Sequence, residues 1–194
     1  MVVGRTARRP LRADARRNYE RIVSAAQEAF LEQGADASLE EIARRAGVGS
    51  ATLHRHFPSR HSLLQAVFRD RVDALCARAR ERAAADEEPG AALFAWLHDF
   101  NAYAAASHGL VASLLRDGQD AGPPRQDDDC AAMITAAADE LLRRAQRTGA
   151  VRADIRTSDL LTLLSALSLA VLDDDGTQTD RMLDITINGL RPHA

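Results

Sequence analysis

The chain contains no lysine. All 25 of its basic residues are arginine, set against 28 carboxylates, for a net charge of -3 over 194 residues. Its two cysteines, Cys76 and Cys130, are too few for a disulfide framework and lack metal-ligand spacing. Cys76 falls in an apolar helical pattern and reads as a reduced core thiol, which suits a cytoplasmic setting. No apolar run approaches the ~20 residues that a membrane span needs, and Met1 to Ala13 has no apolar core of the kind a secretory leader carries. Alternation of β-branched residues is missing, so no sheet is expected. Nor does a glycine-rich phosphate loop follow a strand, or a Ser/His/Asp set sit on a recognisable elbow, and enzymatic chemistry is not expected. The aspartate runs Asp127–Asp129 and Asp173–Asp175 read as capping and loop carboxylates rather than cation sites. His98 and His108 are not spaced as a metal pair, and neither a metal nor another cofactor is expected.

What the chain does have is alanine and leucine at helical spacing. Its 46% hydrophobic content is enough for one larger domain, or for a small domain joined to a medium one. The pattern predicts an all-α protein of about nine helices. Residues 1–13, with Arg5, Arg8, Arg9 and Arg12, are expected to form a disordered basic arm. Residues 14–60 form a small helical domain and residues 61–194 a larger one. A first helix runs from about Ala15 to Gln33 and stops at Gly34. A second begins after Ser38, which forms a capping box with Glu41, and ends at Gly47. A third spans about Ser50 to Phe57 and is broken by Pro58. Ser59 then caps a long fourth helix. Further helices are expected over about Ala91–Ala106, Gly109–Arg116, Cys130–Arg147, Ser158–Leu172 and Thr179–Leu190, with a loop over 117–129.

The charge is uneven. Residues 1–60 hold eleven arginines against seven carboxylates, and residues 61–194 hold fourteen against twenty-one. A basic end on an acidic body points to a local site for a polyanion. Two short helices joined by a glycine-containing turn lie in that basic end, which is the helix-turn-helix pattern. At 100° per residue, Leu53 and Phe57 of the third helix face inward, and Ala51 and Arg55 face directly outward. Thr52 and His54 flank them, with Ser50 and His56 nearer the edges. Small outward residues let the backbone come close to a groove floor. Thr52 offers a hydroxyl and a methyl, and Arg55 can pair bidentately with a guanine edge. Arg44 on the second helix falls near phosphate, and Arg60 adds charge at a helix N-terminus.

The stretch SLEEIARRAGVGSATLHRHFPSRHSLLQAVF, Ser38 to Phe68, resembles the signature of the TetR family of bacterial regulators. The matching residues are Ser38, Ile42 and Ala43, Ala46, Gly47 and Val48, Thr52 and Leu53, Phe57, Arg60, Leu63 and Leu64. It departs from that signature at His54, where tyrosine is usual, at Gly49, where a serine cap is common, and at Arg60, where lysine is usual. The resemblance implies that Ser50, Ala51, Thr52 and Arg55 meet bases and that His54, His56 and Arg60 meet the DNA backbone. Glu40 occupies a second-helix position that reads a base in some members. The remainder of the chain is then implied to be a regulatory domain that dimerises and holds a small-molecule effector, with repression of a double-stranded DNA operator as the expected output.

Dimerisation also has support in the residues themselves. Leu160, Leu161, Leu163, Leu164, Leu167 and Val171 exceed a single stripe, as do Met182, Leu183, Ile185, Ile187 and Leu190. Homodimerisation is therefore expected through the helices near 158–172 and 179–190, giving a four-helix bundle about a two-fold axis. For the effector, Phe94, Trp96, His98, Phe100 and Tyr103 cluster in one segment, with Leu114 and Met133 as further candidate wall residues. The alternative to a DNA-binding regulator is a helical protein-interaction adaptor without specific DNA affinity.

Overall fold

The computed structural model describes residues 8–34, 37–116, 128–170 and 177–192, and nearly all of them are helical. Among the described residues there are eight helices: α1 (Arg8–Gln33), α2 (Leu39–Arg45), α3 (Ser50–His56), α4 (Arg60–Ala84), α5 (Pro89–Arg116), α6 (Asp128–Arg147), α7 (Thr157–Ala170) and α8 (Thr177–Leu190). No described helix is long and apolar enough to cross a membrane.

Two expected boundaries move. α1 begins at Arg8, seven residues before the predicted start, so part of the expected arm is helix. Pro10 falls in its first turn, where a helix has no use for the missing N–H. The exposed turns that follow are held by Arg17 with Asp14, and by Arg16 with Glu20 at 2.8 Å. Residues 1–7 lie outside the described residues. The second change is in α5, which runs unbroken through Gly109, where two helices were expected. Ser107 turns its hydroxyl back onto the Tyr103 carbonyl at 2.8 Å just before that glycine. The loop residues 117–127 and the aspartates 173–175 lie outside the described residues.

The helices close around two separate cores. The head core joins Ile22, Val23, Ala26, Ala29 and Phe30 of α1 to Ile42 and Ala43 of α2, to Leu53 and Phe57, and to Leu63, Leu64 and Val67 of α4. The body core joins Val72, Leu75, Cys76 and Ala79 of α4 to α5, α6, α7 and α8. The change of core therefore falls inside α4, between Val67 and Val72, rather than at residue 60. α4 thus serves both units as one continuous 25-residue rod. Its start is fixed by a reciprocal cap, Ser59 to the Ser62 N–H at 3.1 Å and Ser62 back to the Ser59 N–H at 3.2 Å.

The body core is tied by buried and part-buried polar contacts as well as apolar area. The indole N–H of Trp96 donates to the Leu75 carbonyl at 3.0 Å, linking α5 to α4. Thr157 donates to Asp139 at 2.7 Å, linking α7 to α6. Gln146 donates to the carbonyls of Arg152 and Ile155, both at 3.0 Å, and fastens the turn after α6.

Candidate nucleic-acid interface

α2 and α3 are only seven residues each, too short to persist alone. Their stability comes from the head core. Leu53 and Phe57 are 1% and 3% exposed, and burying each contributes about 1.5–3 kcal/mol. The turn between the helices is closed by a glycine. Gly47 has φ +62, the Gly47 N–H reaches the Arg44 carbonyl at 3.0 Å, and the Val48 N–H reaches that of Ala43 at 3.0 Å. This is a Schellman turn, which needs the left-handed residue that glycine supplies. The Nη2 atom of Arg21 on α1 lies against Gly47 where a Cβ would stand.

That frame leaves one face of α3 open. Ser50, Ala51, His54 and Arg55 are exposed, and Thr52 is half-buried beside them. The face is the one the sequence pattern predicts, with Leu53 and Phe57 directed the other way. Among the described residues, Arg55 enters no ion pair, so its guanidinium is available to a partner. On α2, Glu40 is exposed and Arg44 keeps 74% of its side chain in solvent. Arg44 donates twice to Glu41, at 2.7 and 2.8 Å, and Arg45 donates to the same carboxylate at 2.8 Å. The hydrogen bonds from Arg44 and then Arg45 pull the Glu41 carboxyl down to about 2.

One expectation changes here, and two residues expected at the DNA backbone are seen to have partners within the head. The capping box at Ser38 is half formed. Ser38 accepts from the Glu41 N–H at 3.5 Å, but the Glu41 side chain goes to the two arginines. Arg60 is expected at the DNA backbone, yet its Nη1 donates to the Ala37 carbonyl at 2.7 Å, half-buried. It straps the start of α4 to the segment before α2. His56, expected at phosphate, is half-buried against Phe57 and edge-on to Tyr19 of α1, with centroids 6.3 and 6.5 Å away. An α3 residue one position before the inward Phe57 turns partly toward α1, and its ring finds aromatic neighbours there. Arg21 and Arg45 are the head residues that sequence reasoning missed. Arg45 bridges Glu41 to Glu32 of α1 at 2.8 Å, and a cation at the end of a short helix gave no sign of that cross-helix partner.

The candidate effector residues separate. Trp96 is fully buried, Phe100 stacks on it at 5.8 Å, and Tyr103 continues the row at 6.2 Å from Phe100. Met133 packs on the same core from α6. Phe94 lies elsewhere on α5, under the Arg191 guanidinium at 5.3 Å. His98 is exposed and does not join the aromatic row, because two residues along a helix turn a side chain by about 200°. The side chain of Leu114 lies outside the described residues.

Comparison with known proteins places this arrangement. Residues 22–67 match the family described as bacterial regulatory proteins, tetR family, and residues 88–192 match the SbtR-like transcriptional regulator C-terminal domain. The chain belongs to the TetR family. Its members are helix-turn-helix transcriptional regulators that bind DNA, and both the head and the body of this chain match. The TetR transcriptional regulator SCO0520 from Streptomyces coelicolor is 37% identical, with 91% of this chain and 99% of that one covered at a TM-score of 0.76. A TetR transcription regulatory protein from Mycobacterium vanbaalenii is 38% identical, with 94% and 100% covered and a TM-score of 0.74. Over 64 residues the chain is 42% identical to the uncharacterized HTH-type transcriptional regulator TtgW of Pseudomonas putida, covering 32% of this chain and 48% of that protein. The match to curated relatives thus spans about half of their length or less.

Proposed function

We propose that this TetR-family chain is a repressor that binds a pseudo-palindromic operator as a homodimer and is released by a small molecule held in the body. The observation that supports DNA reading is the exposed face of α3, with Ser50, Ala51 and Arg55 open above the buried pair Leu53 and Phe57. In this reading Ser50, Ala51, Thr52 and Arg55 meet base edges, His54 and Arg44 meet phosphate, and Glu40 stands at the groove edge. His56 and Arg60 meet the DNA backbone from the edge of the head, which their contacts to Tyr19 and Ala37 also hold together.

The dimer is supported by apolar surface with no cover among the described residues of a single chain. Leu163 and Leu169 on α7 are 46% and 51% exposed, and Ile185 on α8 is 71% exposed. Leu160, Leu164, Leu183, Ile187 and Leu190 on the same two helices are buried in the body core. Each helix therefore has an inner apolar face and an outer one, which suits a bundle shared across a two-fold axis. Such a dimer holds two α3 helices at a fixed separation, and two half-sites one helical turn apart give the selectivity one short helix lacks. An effector that binds the body better at another separation must weaken operator binding by linkage.

Selection of bound DNA from a random pool with purified protein tests the reading. Recovery of an inverted repeat is expected, with affinity falling steeply as salt rises. Failure to enrich any sequence at low salt refutes it and favours a protein-binding adaptor.

A further inference from the structure

Arg71 lies on α4 one turn after Val67 and one turn before Leu75. Val67 belongs to the head core and Leu75 to the body core, so Arg71 stands at the joint between them. Both terminal nitrogens of its guanidinium are shut off from solvent, and neither donates a hydrogen bond. The group cannot shed its proton in a protein, and burial is the main cause pressing its pKa down. The neighbouring carboxylates of its own helix are engaged elsewhere, Asp70 by Gln27 at 2.6 Å and Asp73 by Arg69 at 3.8 Å. Among the described residues Arg71 enters no ion pair, and a cation whose terminal nitrogens are buried without a partner is unfavourable, so a native chain that keeps one has a use for it.

The surroundings indicate the use. Burial pushes the Tyr103 hydroxyl of α5 up, the Ser107 hydrogen bond opposes it, and Cys130, Arg71 and Cys76 contribute smaller effects. Tyr103 ends the row that begins at Trp96 and passes through Phe100. Cys130 and Met133 pack on the same core from α6. An aromatic and sulfur-bearing row packed in the body core thus ends near one cation whose terminal N–H groups have no acceptor among the described residues.

We propose that Arg71, with Tyr103 beside it, receives the carboxylate of an effector whose apolar body lies along Trp96, Phe100 and Tyr103. This rests on the effector-release reading above and names the chemical class of that effector. The two terminal nitrogens of one guanidinium match the two oxygens of one carboxylate, and a single positive charge neutralises a single negative one. A doubly charged phosphate would call for further cations. Binding at the joint of α4 alters how its two halves are held, which is where a body ligand can bias the head.

The test uses the full chain, its thermal midpoint and the emission of Trp96, the single tryptophan. The probes are benzoate and octanoate, their neutral counterparts benzamide and octanamide, and inorganic phosphate, with wild type, Arg71→Met and Arg71→Lys. At least one carboxylate should raise the midpoint and shift the Trp96 emission of wild type while its amide does neither. Arg71→Met should weaken that carboxylate by roughly tenfold to a hundredfold, with Arg71→Lys in between. Without added anion, Arg71→Met should be at least as stable as wild type, because an unpaired charge has been removed. No response to either carboxylate, a response to phosphate alone, an equal response in Arg71→Met, or destabilisation of both variants overturns the proposal. Failure of wild type to bind any operator strikes the repressor reading instead, since midpoint and emission are read without DNA.

Discussion

Ile185→Glu on α8 separates the proposed dimer from the fold. Ile185 is 71% exposed in the single chain, so the substitution removes almost nothing from the body core. Burying a whole isoleucine side chain contributes about 1.5–3 kcal/mol, and its exposed share about 1–2 kcal/mol. A two-fold axis counts the residue twice, giving about 2–4 kcal/mol per dimer, or roughly thirty- to thousandfold in the dissociation constant. Desolvation of two carboxylates adds to that figure. Sedimentation velocity over a dilution series reads the dimer constant, and thermal unfolding reads the monomer. Leu31→Glu is the control. Leu31 is 64% exposed on α1, in the head, and its replacement should leave the dimer constant unchanged. Operator affinity should fall with Ile185→Glu even though α3 is untouched. A dimer constant equal to that of wild type would show that α8 contributes nothing to association and would remove the argument for a shared bundle.

Four further outcomes follow from the same geometry. Arg55→Ala should cost roughly 1–3 kcal/mol of operator affinity, concentrated at one base position, with unfolding unchanged, as read by gel shift on single-base variants of the selected site. Gly47→Ala should destabilise the head by about 1–2 kcal/mol through its positive φ, seen in denaturant unfolding, while the flexible Arg21 tip swings aside. Trp96→Phe should cost about 1–3 kcal/mol by unfolding, since it leaves space in a fully buried site and loses the bond to the Leu75 carbonyl. Glu41 is drawn down from 4.5 to about 2, so its contribution is fully present above about pH 4.5 and is lost as pH falls through about 2. Wild type and Glu41→Gln should therefore differ in stability at neutral pH and converge in strong acid, as measured by an acid titration of the unfolding midpoint.

The helix-turn-helix was legible because it is written in short-range terms. A stop glycine, a Leu53/Phe57 pair four residues apart and a proline after the third helix each act within one or two turns. Where the outcome depended on distant partners, the sequence carried less. His56 reads as an edge residue until Tyr19 of α1 is brought beside it, and Arg60 reads as a free cation until the Ala37 carbonyl is seen to accept from it. Gly109 reads as a break because glycine costs about 1 kcal/mol inside a helix, a cost that packing of α5 against α4, α6 and α7 outweighs. Arg71 did leave a sign that the helical reading passed over. It interrupts an apolar row at four-residue spacing, between Val67 and Leu75, where a charge has to be either snorkelled to solvent or answered by a partner.

The position of the two cores along α4 gives the coupling between body and head a definite lever. The head grips the first turns of α4 through Leu63, Leu64 and Val67, with Gln27 bonded to Asp70 and Arg60 to Ala37. The body grips the later turns through Leu75, bonded to Trp96, through Arg82, bonded to Asp99 at 3.4 Å, and through the Ala83 carbonyl, which accepts from Arg144. The distance from Leu75 to Arg60 along the rod is roughly 22 Å at 1.5 Å per residue. A rotation of about 5° at the body grip therefore carries the head by roughly 2 Å, and two heads turning oppositely change their separation by roughly 4 Å. Half-sites lie about 34–36 Å apart, and base contacts made through hydrogen bonds weaken steeply over a fraction of an ångström. In the proposed dimer, a small rearrangement of the contacts around Arg71 and Trp96 would thus be enough to take the two α3 helices out of register with a common duplex, without unfolding either core.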